Sequence, residues 1–387
     1  MYKLFKCITF LILLFLAFFT KAADVERWHW HDKIFKNYSV AQGQPHGAIN
    51  TICEDKLGFV WLVTTHGLVR FDGTNFENVP TTVNDENFSI SGMVADPNGI
   101  MWMSTSIGLM RFDPYTRNFK SIKLFANQLP AVGKISIETK DNTSFIWIAS
   151  EIGVFKFNTM DQTSELYFEK LYLANPNLRI FSILNAKNHT VWIGTSQGLY
   201  YKQVDEATFS SFDLTAFLPN SLRISALLQT SDESIFVATP QNGLLKIDST
   251  LVVTQAFATK EWLYALAEIS PGVIWLGSFG GGVVELDLAK NSSQRMRHNR
   301  LIDTSLANDE IWQIYPARNG LIWLATNKGL SSYNPKKRAL KTIYGDVGHV
   351  NGLSDMNVNS VVEITQVTFG LVLEKRVLML LMLKRGF

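Results

Sequence analysis

Arg179 and Arg223 each stand inside the triplet Leu-Arg-Ile, 44 residues apart, and Trp262 follows 39 residues later with Tyr264 close behind. Guanidinium groups beside aromatic faces can hold a carboxylate or the face of a sugar. The other candidates for chemistry are weaker. His29 and His31 form His-Trp-His, but further metal ligands at a workable spacing do not follow. "GSFGGG" at 277–282 looks like a phosphate loop, yet no Lys-Ser/Thr comes after it and no helical period starts there. Neither H-E-x-x-H nor G-x-S-x-G occurs, and Asp309 and Glu310 would point to opposite faces of a strand. These observations favour binding over catalysis: no enzyme, no metal and no cofactor are expected.

The spacing of the arginines is one instance of a longer period. A Trp column runs through Trp61, Trp102, Trp147, Trp192, Phe236, Trp275 and Trp323, at spacings of 41, 45, 45, 44, 39 and 48 residues. Three residues after each comes Thr64, Thr105, Ser150, Thr195, Thr239, Ser278 or Thr326, and then a Gly: Gly67, Gly108, Gly153, Gly198, Gly243, Gly282 or Gly329. Six of the seven repeats continue with an apolar residue and Asp or Asn; the fourth breaks this with Tyr201-Lys202. An apolar position precedes the column by nine or ten residues: Ile52, Met93, Ile137, Ile183, Leu227, Leu266 and Ile314.

Each unit reads as four short strands joined by turns. Trp with Val or Ile suits a sheet packed on both faces, and Gly in the turn permits a positive φ. Asp or Asn can bond its own turn, and the hydroxyl can satisfy backbone at the strand end. Four strands per unit of about 44 residues is the signature of a β-propeller blade. The expected fold is therefore an all-β, seven-bladed propeller. Before the first repeat, "KIFKNYSV" (33–40) resembles a fourth strand with no blade of its own. It should pair with "GLSSYNP" of the seventh repeat and close the ring, leaving "RALKTIY" (338–344) as a spare strand. A single ring of eight blades is the alternative.

"GFVWLVTTHGLVRFDG", "GIMWMSTSIGLMRFD", "TVWIGTSQGLYYK", "VIWLGSFGGGVVELD" and "LIWLATNKGLSSYN" resemble the two-component regulator propeller repeat. The resemblance spans about residues 35 to 366. It implies an exported sensor module of a histidine kinase or diguanylate cyclase receptor, with homodimers formed through downstream modules. The competing class is a stand-alone scaffold, or a polysaccharide-active hydrolase or lyase. The ligand expected is a small molecule or carbohydrate, held on the loops at one mouth of the ring. Thirteen residues before the Trp column, and fourteen in the third repeat, the chain places Ala48, Ser89, Gly133, Arg179, Arg223, Trp262 and Glu310 there. Arg179, Arg223, Trp262 and Tyr264 are the leading ligand contacts, and His46, His66 and Gln197 are further candidates.

The chain of 387 residues is 47% hydrophobic with a formal charge of +2. Residues 1–22 read as a signal peptide: Lys3 and Lys6, an apolar run from Cys7 to Phe19, and small residues before a cut at Ala23. Its removal takes Lys3, Lys6 and Lys21, so the charge becomes 2 − 3 = −1, and no basic field remains for nucleic acid. Periplasmic export follows. Cys53 would then be the only cysteine, so no internal disulfide is expected. The propeller is expected over 23–350. Residues 351–387 start an eighth repeat, then lose it: where Trp should stand the chain reads "VTFGLVLEKRVLMLLMLKRGF". A shifted reading frame from Val367 can encode Trp-Ile-Gly-Thr, so a frameshifted, poorly ordered or loosely attached tail without membrane span or output domain is expected.

Overall fold

The structure is a computed structural model that describes residues 33–38, 47–83, 86–124, 132–140, 143–218, 221–337, 358–365, 368–373 and 376–382. The signal segment, His46 and the spare strand at 338–344 lie outside the described residues. Residues Ile34–Lys337 form one compact unit. It contains seven four-stranded antiparallel sheets, and every one is a sequential meander apart from the last. The first runs Ile49–Glu54, Val60–Thr64, Gly67–Phe71 and Phe76–Val79. The first strand of each sheet packs against the first strands of both neighbouring sheets, so seven innermost strands circle a common axis. This unit is a seven-bladed β-propeller.

The seventh blade explains why the ring closes. Its three inner places are filled by Ile311–Pro316, Ile322–Thr326 and Gly329–Tyr333, and its fourth, outermost strand is Phe35–Tyr38. The register is Phe35 opposite Tyr333 and Tyr38 opposite Leu330. Phe35 and Tyr38 are both buried. Phe35 lies 6.2 Å from the Trp275 ring of blade six, and Tyr38 lies 5.0 Å from Phe71 of blade one. The N-terminal strand thus inserts a ring towards each neighbour as well as completing its sheet.

The repeated residues have repeated jobs. All seven members of the Trp column are at most 4% exposed. In each blade the Thr or Ser hydroxyl three residues on donates to the carbonyl of the Gly that starts the third strand, from Thr64 to Gly67 through Thr326 to Gly329. That Gly takes a positive φ in every blade. At Gly243 and Gly282 a Cβ would also collide with the carbonyl of the outer strand. The Asp or Asn after the third strand caps its own turn: Asp72 Oδ1 accepts from the amides of Thr74 and Asn75, and Asp113 Oδ1 from Tyr115. The fourth blade, which lacks this residue, uses Glu206 Oε2 to accept from the Gln203 amide.

Several details differ from the sequence reading. Blade three has a longer first hairpin, Val132–Lys140 with Thr143–Ser150, so Ile135 and not Ile137 takes the place of Ile52. A short helix, Glu169–Ala174, joins blades three and four. The compact unit is narrower than 23–350. Past it, Val358–Thr365, Thr368–Leu373 and Arg376–Met382 form a three-stranded antiparallel sheet. Within the tail that fitted neither period in sequence, the described segments Thr368–Leu373 and Arg376–Met382 are thus strands, as their Val, Leu and Phe content suits.

Trp102 is 3% exposed, donates its Nε1 to Asp96 Oδ2 at 3.1 Å, and packs against Phe157. Trp102→Ala should cost on the order of 3–5 kcal/mol in denaturant unfolding; a loss below about 1 kcal/mol contradicts this packing. Burial pushes the Cys53 thiol up from 9.0 to about 12. The thiol form is favoured in the fold, so this contribution is complete below pH 9.0 and fades as pH rises towards 12. The stability gap between wild type and Cys53→Ala should therefore narrow across that window. A gap that stays constant, followed by thermal melts, speaks against a buried thiol.

Candidate functional site

The innermost strands carry a shared irregularity at one end. In six blades the ladder slips by a bulge next to the strand start, between Ile49 and Thr51, Ile90 and Gly92, Val132 and Ile135, Ile180 and Ser182, Leu263 and Ala265, and Ile311 and Gln313. A bulge leaves one residue out of the ladder and re-aims its side chain. The residues so placed in five of these blades are Asn50, Ser91, Phe181, Tyr264 and Trp312. Blades one and two present small polar groups there, and blades four, six and seven present aromatic rings.

The turns between second and third strands share that face. In five blades the turn amide donates to the carbonyl two residues before the bulged position: Thr65 to Ala48, Ser106 to Ser89, Ser196 to Arg179, Phe279 to Trp262 and Asn327 to Glu310. The column found thirteen residues before the Trp is thus a ring of turn contacts. Arg179, Arg223, Trp262, His66 and Gln197 all belong to one face of the propeller.

On that face the structure gathers Arg223, Trp262 and Tyr264. The Arg223 guanidinium carbon lies 4.1 Å from the Phe181 ring and 5.0 Å from the Trp262 ring. Tyr264 is 6.1 Å from Trp262, 6.2 Å from Phe279 and 5.8 Å from Trp312, and Phe279 is 5.9 Å from Trp312. Blades four to seven each contribute to this cluster. Trp262 is 39% and Phe279 52% exposed, so the aromatic wall faces water. Burial raises the Tyr264 phenol, and the nearby Arg223 charge opposes it. Two donors in the cluster, Arg223 Nε and Trp312 Nε1, are buried with no hydrogen-bond partner among the described residues.

The neighbouring acids are engaged elsewhere. Glu261 is held by Arg295 at 2.7 Å and lies 3.7 Å from Arg297. "GSFGGG" is a blade turn: Gly280 and Gly282 donate amides to Asp309 of blade seven, and this anchors Phe279 in the wall. Lys134, in the blade-three bulge, is reached by water although protein surrounds it, and that enclosure lowers its pKa.

Other sequence candidates do not join the cluster. Arg179 folds onto its own loop, donating from Nη1 to the carbonyls of Pro176 at 3.1 Å and Leu178 at 2.9 Å. His66 lies in the blade-one turn with Nδ1 3.2 Å from the Thr65 hydroxyl. Gln197 is exposed in the blade-four turn. Phe181, Phe279 and Trp312 were missed. The signal for two of them was present, since Phe181 and Trp312 follow the column by two residues as Tyr264 does.

A concavity of about 170 Å³ lies at the opposite turns of blades one and two, lined by Lys56, Phe59, Arg70, Tyr115 and Arg117 among others. Its guanidiniums are already satisfied: Arg117 makes two bonds to Glu77, at 2.6 and 2.9 Å, and Arg70 a third at 3.3 Å. Among the described residues, no group of three or more His, Cys, Asp or Glu could hold a metal ion. No helix among them is long and apolar enough to cross a membrane.

Comparison with known proteins agrees with the fold and the repeat. The family model described as two component regulator propeller matches residues 305–328, within the seventh repeat. Among solved structures, it is similar to the extracellular domain of the putative hybrid two component system BT3049 from B. thetaiotaomicron. The TM-score is 0.76 at 17% identity, over 90% of this chain and 48% of that one. The extracellular domain of the putative one component system BT4673 from the same organism gives 0.68 at 20% identity, over 88% and 45%. The chain thus spans about half the length of these relatives. Streptogramin B lyase shares the fold at a TM-score of 0.64 and 14% identity, over 80% of this chain and 99% of the lyase. No curated protein matches the sequence.

Because Arg223 is held by ring faces and makes no ion pair among the described residues, Arg223→Ala should shift stability by no more than about 2 kcal/mol. Trp262 fluorescence should change at the same time, since its ring loses a cation. Global unfolding on this substitution would mean that Arg223 supports the core.

Proposed function

We propose that the ring is the ligand-receiving part of an exported signalling receptor, and that it binds a small molecule or carbohydrate at the mouth formed by blades four to seven. The observation that carries this is the water-facing aromatic cluster, assembled from four blades around an Arg223 that has no ion-pair partner among the described residues. Aromatic faces with a few convergent polar groups are the usual make-up of a ligand site. A rigid scaffold with the binding groups at its loops and strand starts is how propellers present such sites. The likeness to extracellular domains of sensor systems supports the sensing role. Reception here requires no chemistry from the chain, only discrimination between ligands. Arg179, His66 and Gln197 lie on the same face, outside this cluster.

Titration calorimetry with a panel of oligosaccharide fragments checks this. At least one fragment should bind, and Trp262→Ala should weaken it tenfold or more, as truncation of a central aromatic anchor does. Trp102→Phe, inside a blade, should leave the affinity unchanged. Binding that survives Trp262→Ala and Phe279→Ala together places the site elsewhere. Release of cleaved fragments would turn the reading towards an enzyme.

A further inference from the structure

The two orphaned donors in the mouth have a direction. Arg223 Nε and Trp312 Nε1 are both buried without partners among the described residues. Neither group can accept a hydrogen bond, so each calls for an acceptor oxygen. A buried donor left unmatched costs free energy, and an acceptor oxygen brought to it by a ligand would offset that cost. The guanidinium lies against the rings of Phe181 and Trp262. These contacts limit its rotamers, and its charge has no carboxylate partner among the described residues, because Glu261 is held by Arg295. A planar fork restrained in this way suits two oxygens of an acid group. A cationic ligand would meet repulsion at the same point. The faces of Trp262 and Phe279 supply the apolar surface on which a sugar ring can lie.

We propose that the ligand of this mouth is an acidic sugar, whose carboxylate or sulfate oxygens are received by the Arg223 guanidinium beside the Trp262 ring. This rests on the reading of the mouth as the ligand site, and it adds the charge of the ligand. The arrangement discriminates strongly. A neutral sugar can stack on the wall but leaves the guanidinium charge unmatched, whereas an acidic one satisfies both. The cleft of blades one and two does not compete, because Glu77 already occupies its arginines.

Titration calorimetry of the whole protein with trigalacturonate, a sulfated chondroitin disaccharide and neutral galactotriose separates the outcomes. One of the two acidic probes should bind at least tenfold more tightly than galactotriose, and added salt should reduce the difference. Which of the two binds decides between carboxylate and sulfate. Arg223→Gln should weaken the acidic probe about ten- to a hundredfold with little change in melting temperature, and Arg223→Lys should recover only part of the loss. Trp262→Ala should weaken acidic and neutral probes alike. If galactotriose binds as tightly as both acidic probes and depends on Trp262, the mouth remains the site and the acidic-sugar proposal is overturned. An acidic preference that persists in Arg223→Gln also overturns it. Binding of none of the three by wild type overturns both.

Discussion

No blade of this protein can bury its own two faces, and the closing of the ring is the constraint on which everything else depends. A four-stranded sheet of about 44 residues is hydrophobic on both sides and is stable only between neighbours. The seventh sheet gets its outer strand from the N-terminus: Phe35–Tyr38 pairs along Gly329–Tyr333. Asn37 reinforces the join, with its Nδ2 donating to the carbonyl of Ser305 at 2.6 Å and its Oδ1 accepting from the Ser331 hydroxyl at 2.7 Å. With the circle closed, the seven innermost strands are fixed around one axis, and their starts, six of them bulged, meet at one mouth. The Arg223 cluster exists because blades four to seven are held at that spacing.

Within each blade the turn between second and third strands is the recurring lock. The hydroxyl-to-Gly-carbonyl bond and the positive φ of that Gly hold the hairpin end in one conformation. The turn amide then reaches the start of the innermost strand. Rigidity is thereby carried from the core Trp to the mouth. A second lock sits at the other end, where Asp55 Oδ2 accepts from Trp61 Nε1 at 2.8 Å while its Oδ1 accepts from the amides of Leu57 and Phe59. Asp96 does the same for Trp102.

Most of this was legible in the sequence because the blade repeats and each repeat states the same requirements. The Trp, Thr/Ser, Gly and Asp/Asn columns could be read directly, and the seven-blade closure followed from a strand without a blade. What escaped was what does not repeat. The indole partner changes identity, from Asp55 to Glu138 for Trp147 and Glu285 for Trp275. The longer hairpin of blade three shifts its register, since a spacing count cannot tell a lengthened turn from a lengthened strand. At the mouth, position could be read but direction could not. Arg179 and Arg223 share a column, yet Arg179 bends back to its loop carbonyls while Arg223 enters the aromatic cluster. Phe181 and Trp312 stood at the same offset as Tyr264, but the bulge that turns them towards the mouth has no signature in sequence.

The most direct measurement of the account is hydrogen exchange of the whole protein with and without a bound sugar ligand. Protection concentrated at residues 179–182, 223–226, 262–264, 279–282 and 310–312 is the predicted result. It would place the ligand on the mouth that ring closure assembles from blades four to seven. Protection centred instead on residues 55–59 and 114–117, or spread evenly around all seven blades, would contradict it.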